Sequence, residues 1–294
     1  MRGLFEKIGD YLSLVKFSHT VFAMPFALLG FFTAIESGGG EFSARLLILI
    51  LLCMVFARNA AMGFNRYADK RIDALNPRTN VREIPAGKIS PVAALVFVVI
   101  NSILFIVAAG LINRLTLILA PVALIVILGY SLTKRVTSLS HLFLGLSLSL
   151  SPVGAYISVT GSFDLMPIIY GLIVITWVGG FDIIYSLQDA DFDADNNLHS
   201  IPSALGASGA IMVSRALHIS SLALVISAWV IGGKGLLFLI ASLLFGGMLL
   251  LEHIIAKPGD NRSINMAFAK VNSFAGLLFS SFAIADLYFH IPLF

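Results

Sequence analysis

Residues 63–82, GFNRYADKRIDALNPRTNVR, close a long apolar run with a burst of charge. Asn65, Asp69 and Asp73 recur every fourth position, and at 3.6 residues per turn such positions stay on one helix face with about 40° of drift per step. A second acidic stretch, FDIIYSLQDADFDAD at residues 181–195, closes another apolar run and carries Asp182, Asp189 and Asp193. An amide and carboxylates at two helix ends, with Arg58, Arg78, Arg82, Lys134 and Arg135 nearby, meet the needs of a magnesium diphosphate. Mg²⁺ takes one or two protein oxygens together with phosphate oxygens, and cations take the remaining negative charge. Arg58 lies two turns before Asn65 on the same face, and an arginine inside an apolar helix is costly to leave unpaired.

The elements that must position these groups are membrane helices. The chain has 294 residues, 58% of them hydrophobic and only 12% charged, too little charge to clothe a water-facing globule of this size. Apolar runs predict spans at residues 18–35, 45–66, 91–112, 115–131, 139–158, 166–188, 209–231, 235–255 and 264–287, about nine helices in a single domain covering residues 1–294. The runs are too long for barrel strands. Lys and Arg test the arrangement, because cytoplasmic loops hold the excess. With the N-terminus cytoplasmic, that side holds Arg2, Lys7, Lys16, Arg66, Lys70, Arg71, Arg78, Arg82, Lys88, Lys134, Arg135, Lys257 and Arg262, against Arg45, Arg114 and Lys234 opposite. Both acidic stretches then face the cytoplasm, in an integral protein of the inner (cytoplasmic) membrane.

Residues 1–16 read as a short amphipathic segment lying on the membrane surface, and the first span reads as a retained helix rather than a cleaved signal. The net charge of +3 gives no case for a nucleic-acid partner, and the lone Cys53, inside an apolar run, reads as a packed or lipid-facing thiol. Pro25, Pro121 and Pro152 are expected to bend helices around a central space, and Gly110, Gly129, Gly145, Gly154, Gly171, Gly179 and Gly180 to let helices approach closely.

A diphosphate ligand for a protein immersed in lipid points to a polyprenyl donor, its tail between helices and its head at the carboxylates. Metal and cations would stabilise the departing diphosphate. The allylic carbon left behind is cationic, and Tyr67, Tyr130, Tyr156, Phe181 and Tyr185 are placed to offer aromatic faces.

These residues together resemble the UbiA family of intramembrane aromatic prenyltransferases over most of the chain. Asn65, Asp69 and Asp73 match the family's first motif, followed by NPRT at residues 76–79 and by Arg82, Pro85 and Gly87. Asp189 and Asp193 match its second motif, preceded by Phe181 and Asp182. YSLTKRVT at residues 130–137 is similar to its aromatic-x-x-x-Lys-Arg segment, and SHTVFAMPFAL from Ser18 to its first helix. The chain departs at Arg66, where many members carry aspartate, and at Glu83-Ile84-Pro85. The resemblance implies an all-α membrane protein of nine transmembrane helices around a central cavity that opens laterally to lipid. It also implies Mg²⁺-dependent transfer of a prenyl group onto an aromatic ring. It assigns metal and diphosphate chemistry to Asn65, Asp69, Asp73, Asp189 and Asp193, with diphosphate contacts at Arg58, Lys134 and Arg78. Asp182 is assigned to acceptor orientation or metal support. His19 either lines the acceptor site or is a satisfied helix-end histidine, and Asp191 and Asp195 are expected on the solvated face.

The expected partners are a polyprenyl diphosphate, a small aromatic acceptor and membrane lipid. The leading acceptor is 4-hydroxybenzoate, in quinone synthesis. A dihydroxynaphthoate-type menaquinone precursor is the alternative, followed by other acceptors of the family: a glycerol phosphate lipid, a chlorophyllide-like ring or haem. A cation-coupled transporter would also place carboxylates among helices, but near mid-bilayer rather than at helix ends beside loop cations.

Overall fold

The computed structural model describes residues 4–15 and 24–292. The start of the first predicted span, His19 included, lies outside them, as do Arg2 and Lys16. The helices in chain order are α1 (Leu4–Leu14), α2 (Met24–Glu36), α3 (Ala44–Ala68), α4 (Lys70–Leu75), α5 (Pro91–Gly110), α6 (Arg114–Thr133) and α7 (Ser140–Thr160). Then follow α8 (Leu165–Ser186), α9 (Ala190–Asp195), α10 (Ile201–Ile231), α11 (Leu236–Ile255), α12 (Asn261–Met266) and α13 (Asn272–Tyr288). No strand occurs among the described residues. Among the described residues, eight helical stretches are long and apolar enough to cross a membrane, and α2 is a shorter apolar helix at the place of the remaining predicted span.

The helix ends sit where local chemistry puts them. Ser43 and Ser90 accept from the backbone of Leu46 and Ala93, and Asn113 with Thr116, and Ser200 with Ser203, form reciprocal capping boxes at α6 and α10. Gly161, in the left-handed region at φ +68°, ends α7. Gly206, at φ +69°, breaks α10 after its first turns, so the long apolar part begins close to the predicted residue 209.

The bundle is organised around α8, whose apolar stretch is 67% buried against 17–44% for the other spans. Trp177, in its middle, is packed edge-on by Phe181 and Phe245 and tilted against Phe26, while Phe279 closes the cluster from α13. Glycine at position 145 brings α7 against α8, since a Cβ there would fall 2.6 Å from the Ile175 carbonyl oxygen. Gly154 plays no such part: open space lies where its Cβ would be. Pro121 and Pro152 lie inside α6 and α7, and the residues just before Met24 and Pro25 lie outside the described ones. Exposed Val96, Ile103 and Val107 on α5 and Ile118, Val122 and Ile125 on α6 present an apolar outer face suited to lipid.

An apolar space lies among α3, α5, α6 and α7. At one end, Leu14, the last residue of α1, and Val15 after it are buried with Ile84, Ile89 and Ala94, and Ser13 donates to Glu83 at 2.5 Å. The segment joining α4 to α5 is thereby held under α1.

A charged cavity joined to an apolar one

The first acidic motif does not form one unbroken helix. α3 ends at Ala68, Asp69 takes φ −89° and ψ 5°, and α4 starts at Lys70. The backbone bonds Asp69 N–H to Asn65 O and Asp73 N–H to Asp69 O carry helical pairing across the junction, so the face read from spacing survives the bend. The second motif is broken too: α8 ends at Ser186, a single 3₁₀ turn spans Leu187–Asp189, and α9 follows. Asp193 turns inward and is buried, while Asp191 and Asp195 are exposed.

Both motifs line one cavity of about 290 Å³ at a single end of the bundle. Asn65, Asp69 and Asp73 lie on one wall, Asp182, Asp189 and Asp193 on the other, and Arg58, Arg66, Arg78, Arg82 and Lys134 are among the other lining residues. Among the described lining residues, five carboxylates thus meet five formal positive charges.

Most of the carboxylates are held by basic partners. Asp69 accepts from Arg135 at 3.0 Å through Oδ1 and from the Asn65 amide at 3.2 Å through Oδ2. Asp73 accepts from Arg82 at 2.7 Å through Oδ1, and its buried Oδ2 has no hydrogen-bond partner among the described residues. Asp189 is gripped from across the cavity: Arg78 Nε donates to Oδ1 at 2.9 Å, Arg78 Nη2 donates to Oδ2, and Asn76 Nδ2 also donates to Oδ1, at 3.1 Å. Burial alone would lower the Arg78 guanidinium, but its hydrogen bond and charge interaction with Asp189, aided by Tyr185, outweigh it and raise it above the ordinary arginine value. Asp193 lies within electrostatic reach of Lys134 and Asp189. The carbonyl of Lys134 accepts from the His199 backbone at 2.7 Å, tying the α6–α7 turn to the segment before α10.

Arg58 and Arg66 differ from the other cations. Neither forms an ion pair among the described residues, and the Nε of each is buried without a hydrogen-bond partner there. A buried cation with open donor positions calls for an anion. Arg58 also lines the neighbouring apolar cavity of about 240 Å³, which runs between α3, α5, α6 and α7 past Cys53, Ala57, Phe105, Ala123 and Gly154. Met62, Tyr130, Leu144 and Leu148 border both spaces, so the charged head of the site opens into an apolar extension.

Of the aromatic candidates, Tyr130, Phe181 and Tyr185 line the charged cavity, and Tyr185 lies 4.3 Å from Phe268, ring centre to ring centre. Phe268 belongs to a π turn, Ala267–Val271, ahead of α13. Tyr67 packs on Phe64 beneath Lys70, and Tyr156 shares a hydrogen bond with Ser37; neither lines that cavity. One lining residue was not legible in the sequence. His141 reaches Asp182 with Nδ1 to Oδ2 at 2.7 Å, yet it stands alone in an apolar helix start with no spacing to mark it.

Residues 23–274 match the UbiA prenyltransferase family. The chain belongs to this family. As a UbiA prenyltransferase it is an enzyme, and its fold agrees with solved members. A UbiA homolog from Aeropyrum pernix K1, solved in the apo state, is 32% identical, superposes with a TM-score of 0.81 and covers 91% of this chain and 98% of its own. A UbiA homolog from Archaeoglobus fulgidus bound to GPP and Mg²⁺ has the same fold at 19% identity, with a TM-score of 0.72 and coverage of 95% and 99%. A 4-hydroxybenzoate octaprenyltransferase from Pectobacterium atrosepticum is 28% identical over 82% of this chain and 83% of its own length. A protoheme IX farnesyltransferase from Korarchaeum cryptofilum is 28% identical over 96% and 95%.

The residues present fit a hard divalent cation. The donors are all oxygens, and the buried Asp73 Oδ2 is an acceptor still open. Among the described residues no three acidic, histidine or cysteine groups converge to enclose an ion by themselves. Two carboxylate walls facing each other instead suit an ion whose coordination is shared with phosphate oxygens.

Proposed function

We propose that this prenyltransferase moves the polyprenyl group of a polyprenyl diphosphate onto a small aromatic acceptor with the help of Mg²⁺, and that 4-hydroxybenzoate is the acceptor. The observation that carries the reading is the junction at Arg58 and Tyr130, where a cavity of paired carboxylates and cations meets an apolar one. A diphosphate head fits the first and a prenyl tail the second.

In this reading Asn65, Asp69, Asp73, Asp189 and Asp193 hold the metal. Held there, Mg²⁺ would supply positive charge to offset that developing on the leaving diphosphate. Arg58, Lys134 and Arg78 bind the diphosphate oxygens, with the open donors of Arg58 directed to the head of the donor. Tyr130, Phe181 and Tyr185 present ring faces to the allylic carbon as it gains positive charge, and the apolar lining keeps water from that carbon. Asp182 orients the acceptor.

The similarity to a 4-hydroxybenzoate octaprenyltransferase supports 4-hydroxybenzoate as the acceptor, with a dihydroxynaphthoate second. The excess of Lys and Arg at this end supports a site facing the cytoplasm across the inner membrane.

The test is product formation by purified protein in lipid or detergent. Labelled polyprenyl diphosphate is offered with 4-hydroxybenzoate or a dihydroxynaphthoate, with Mg²⁺ and with chelator. Magnesium-dependent prenylation of 4-hydroxybenzoate is expected. Prenylation of the naphthoate alone would move the acceptor to the second reading, and turnover undiminished by chelator would remove the metal.

A further inference from the structure

Four of the five cavity carboxylates have a basic residue beside them: Asp69 bonds to Arg135, Asp73 to Arg82, Asp189 to Arg78, and Asp193 lies within electrostatic reach of Lys134. Asp182 is different. Its hydrogen-bonded partner is His141, at the first turn of α7, with Nδ1 to Oδ2 at 2.7 Å. His141 is buried, whereas the Asp182 side chain remains 22% exposed toward the cavity it lines.

The other imidazole nitrogen decides where the protons are. The backbone N–H of Ile201 points at Nε2 from 3.4 Å. Ile201 is the first residue of α10, so this N–H is one of the donors that a helix start leaves without an intrahelical partner. A backbone N–H only donates, so Nε2 must accept, and the ring hydrogen must sit on Nδ1. His141 is therefore a fixed donor to Asp182 through Nδ1, held between two helices. It occupies Oδ2 and leaves Oδ1 with no hydrogen-bond partner among the described residues.

We propose that His141 is a positioning residue for the acceptor: it locks the Asp182 carboxylate so that Oδ1 accepts the hydroxyl hydrogen of the phenolic substrate and sets which ring carbon faces the allylic carbon. The inference rests on the reading of Asp182 as the acceptor-orienting carboxylate. An arginine partner would offer a fork of donors that competes for both oxygens. The imidazole engages one oxygen through Nδ1 and leaves the other as an acceptor facing the cavity. Leu144, Val178 and Phe181 line the same wall and supply an apolar seat for a ring.

The experiment compares wild type, His141→Ala, His141→Asn, Asp182→Asn and the double variant His141→Ala/Asp182→Asn. Steady-state turnover is measured with 4-hydroxybenzoate and, in parallel, a dihydroxynaphthoate. His141→Ala is expected to raise acceptor KM and lower kcat, together by on the order of 10- to 100-fold in kcat/KM, while donor KM stays within about twofold. Asparagine places an N–H close to the Nδ1 position, so His141→Asn should recover most of the loss. The double variant should be no worse than Asp182→Asn alone, the non-additivity expected of groups acting as a unit.

A loss in Asp182→Asn with no loss in His141→Ala would overturn the proposal while leaving the role of Asp182 intact. Full activity in Asp182→Asn would overturn the underlying reading instead. Equal damage to donor and acceptor KM in His141→Ala, unrelieved by asparagine, would reduce His141 to a packing role. A readout independent of turnover is the imidazole of ¹⁵N-histidine-labelled protein in lipid. A ring hydrogen on Nδ1 with an accepting Nε2, perturbed by Asp182→Asn, is expected, and a ring whose hydrogen sits on Nε2 would overturn the assignment.

Discussion

Arg78 and Asp189, 111 positions apart in the chain, are joined by a two-pronged contact across the mouth of the charged cavity. The segment after the first acidic motif thereby closes onto the second, and Asn76 adds a third bond to the same carboxylate. A lysine in place of Arg78 keeps the charge but offers a single point donor, so it grips one oxygen at most. Arg78→Lys is expected to lower kcat/KM for the donor by about tenfold or more, equivalent to about 1.4 kcal/mol of transition-state stabilisation. Steady-state kinetics with the donor varied read this directly, and wild-type values would show that the fork is not needed.

Asp69→Ala and Asp189→Ala test the proposed metal wall on each side. Each removes an oxygen donor at a helix junction rather than in a packed seam, so folding and insertion should persist while turnover falls by on the order of 10² to 10³ or more. Turnover and thermal unfolding measured on the same samples separate the two effects. Unchanged turnover in both variants would sink the metal assignment.

Much of this site was open to reading in the chain itself, because its chemistry is carried by residues whose cost in an apolar setting demands a reason. Asn65, Asp69 and Asp73 share a wall because helical pairing continues across the Asp69 bend. Asp189 and Asp193 reach the cavity by a different route, through a break after Ser186 that hydropathy does not report. Which cation holds which carboxylate depends on how the loops fold back, so the pairs Arg82 with Asp73 and Arg135 with Asp69 carry no signature in spacing. His141 was invisible for the same reason: its meaning comes from Asp182, 41 positions away, and from the start of α10. Arg66 marked a departure from the family pattern, and the structure turns it into a second buried cation with an open donor.

Removing an open donor should be felt in donor binding before chemistry. Arg58→Met keeps much of the aliphatic stem that borders the apolar cavity and deletes the charge. It is expected to raise donor KM by about tenfold or more with a smaller effect on acceptor KM. Donor binding measured with and without Mg²⁺ checks it, and an unchanged donor affinity would assign Arg58 to structure alone.

Two glycines of α7 look alike in sequence and are opposite in the fold. Gly145 is in contact with the α8 backbone at Ile175, so Gly145→Leu must push the two helices apart. Overpacking of this kind costs about 1–3 kcal/mol and should lower the midpoint of thermal unfolding in detergent. Gly154 faces the apolar cavity with nothing within 4 Å of a Cβ, so Gly154→Leu has room in which to sit. Its side chain would occupy space that, in the proposed reaction, belongs to the prenyl tail. The variant should fold as well as wild type, retain turnover with a short prenyl diphosphate, and lose it progressively as the donor lengthens. Parallel kcat/KM measurements across a donor series decide the matter: an unaltered length preference would place the tail outside this cavity.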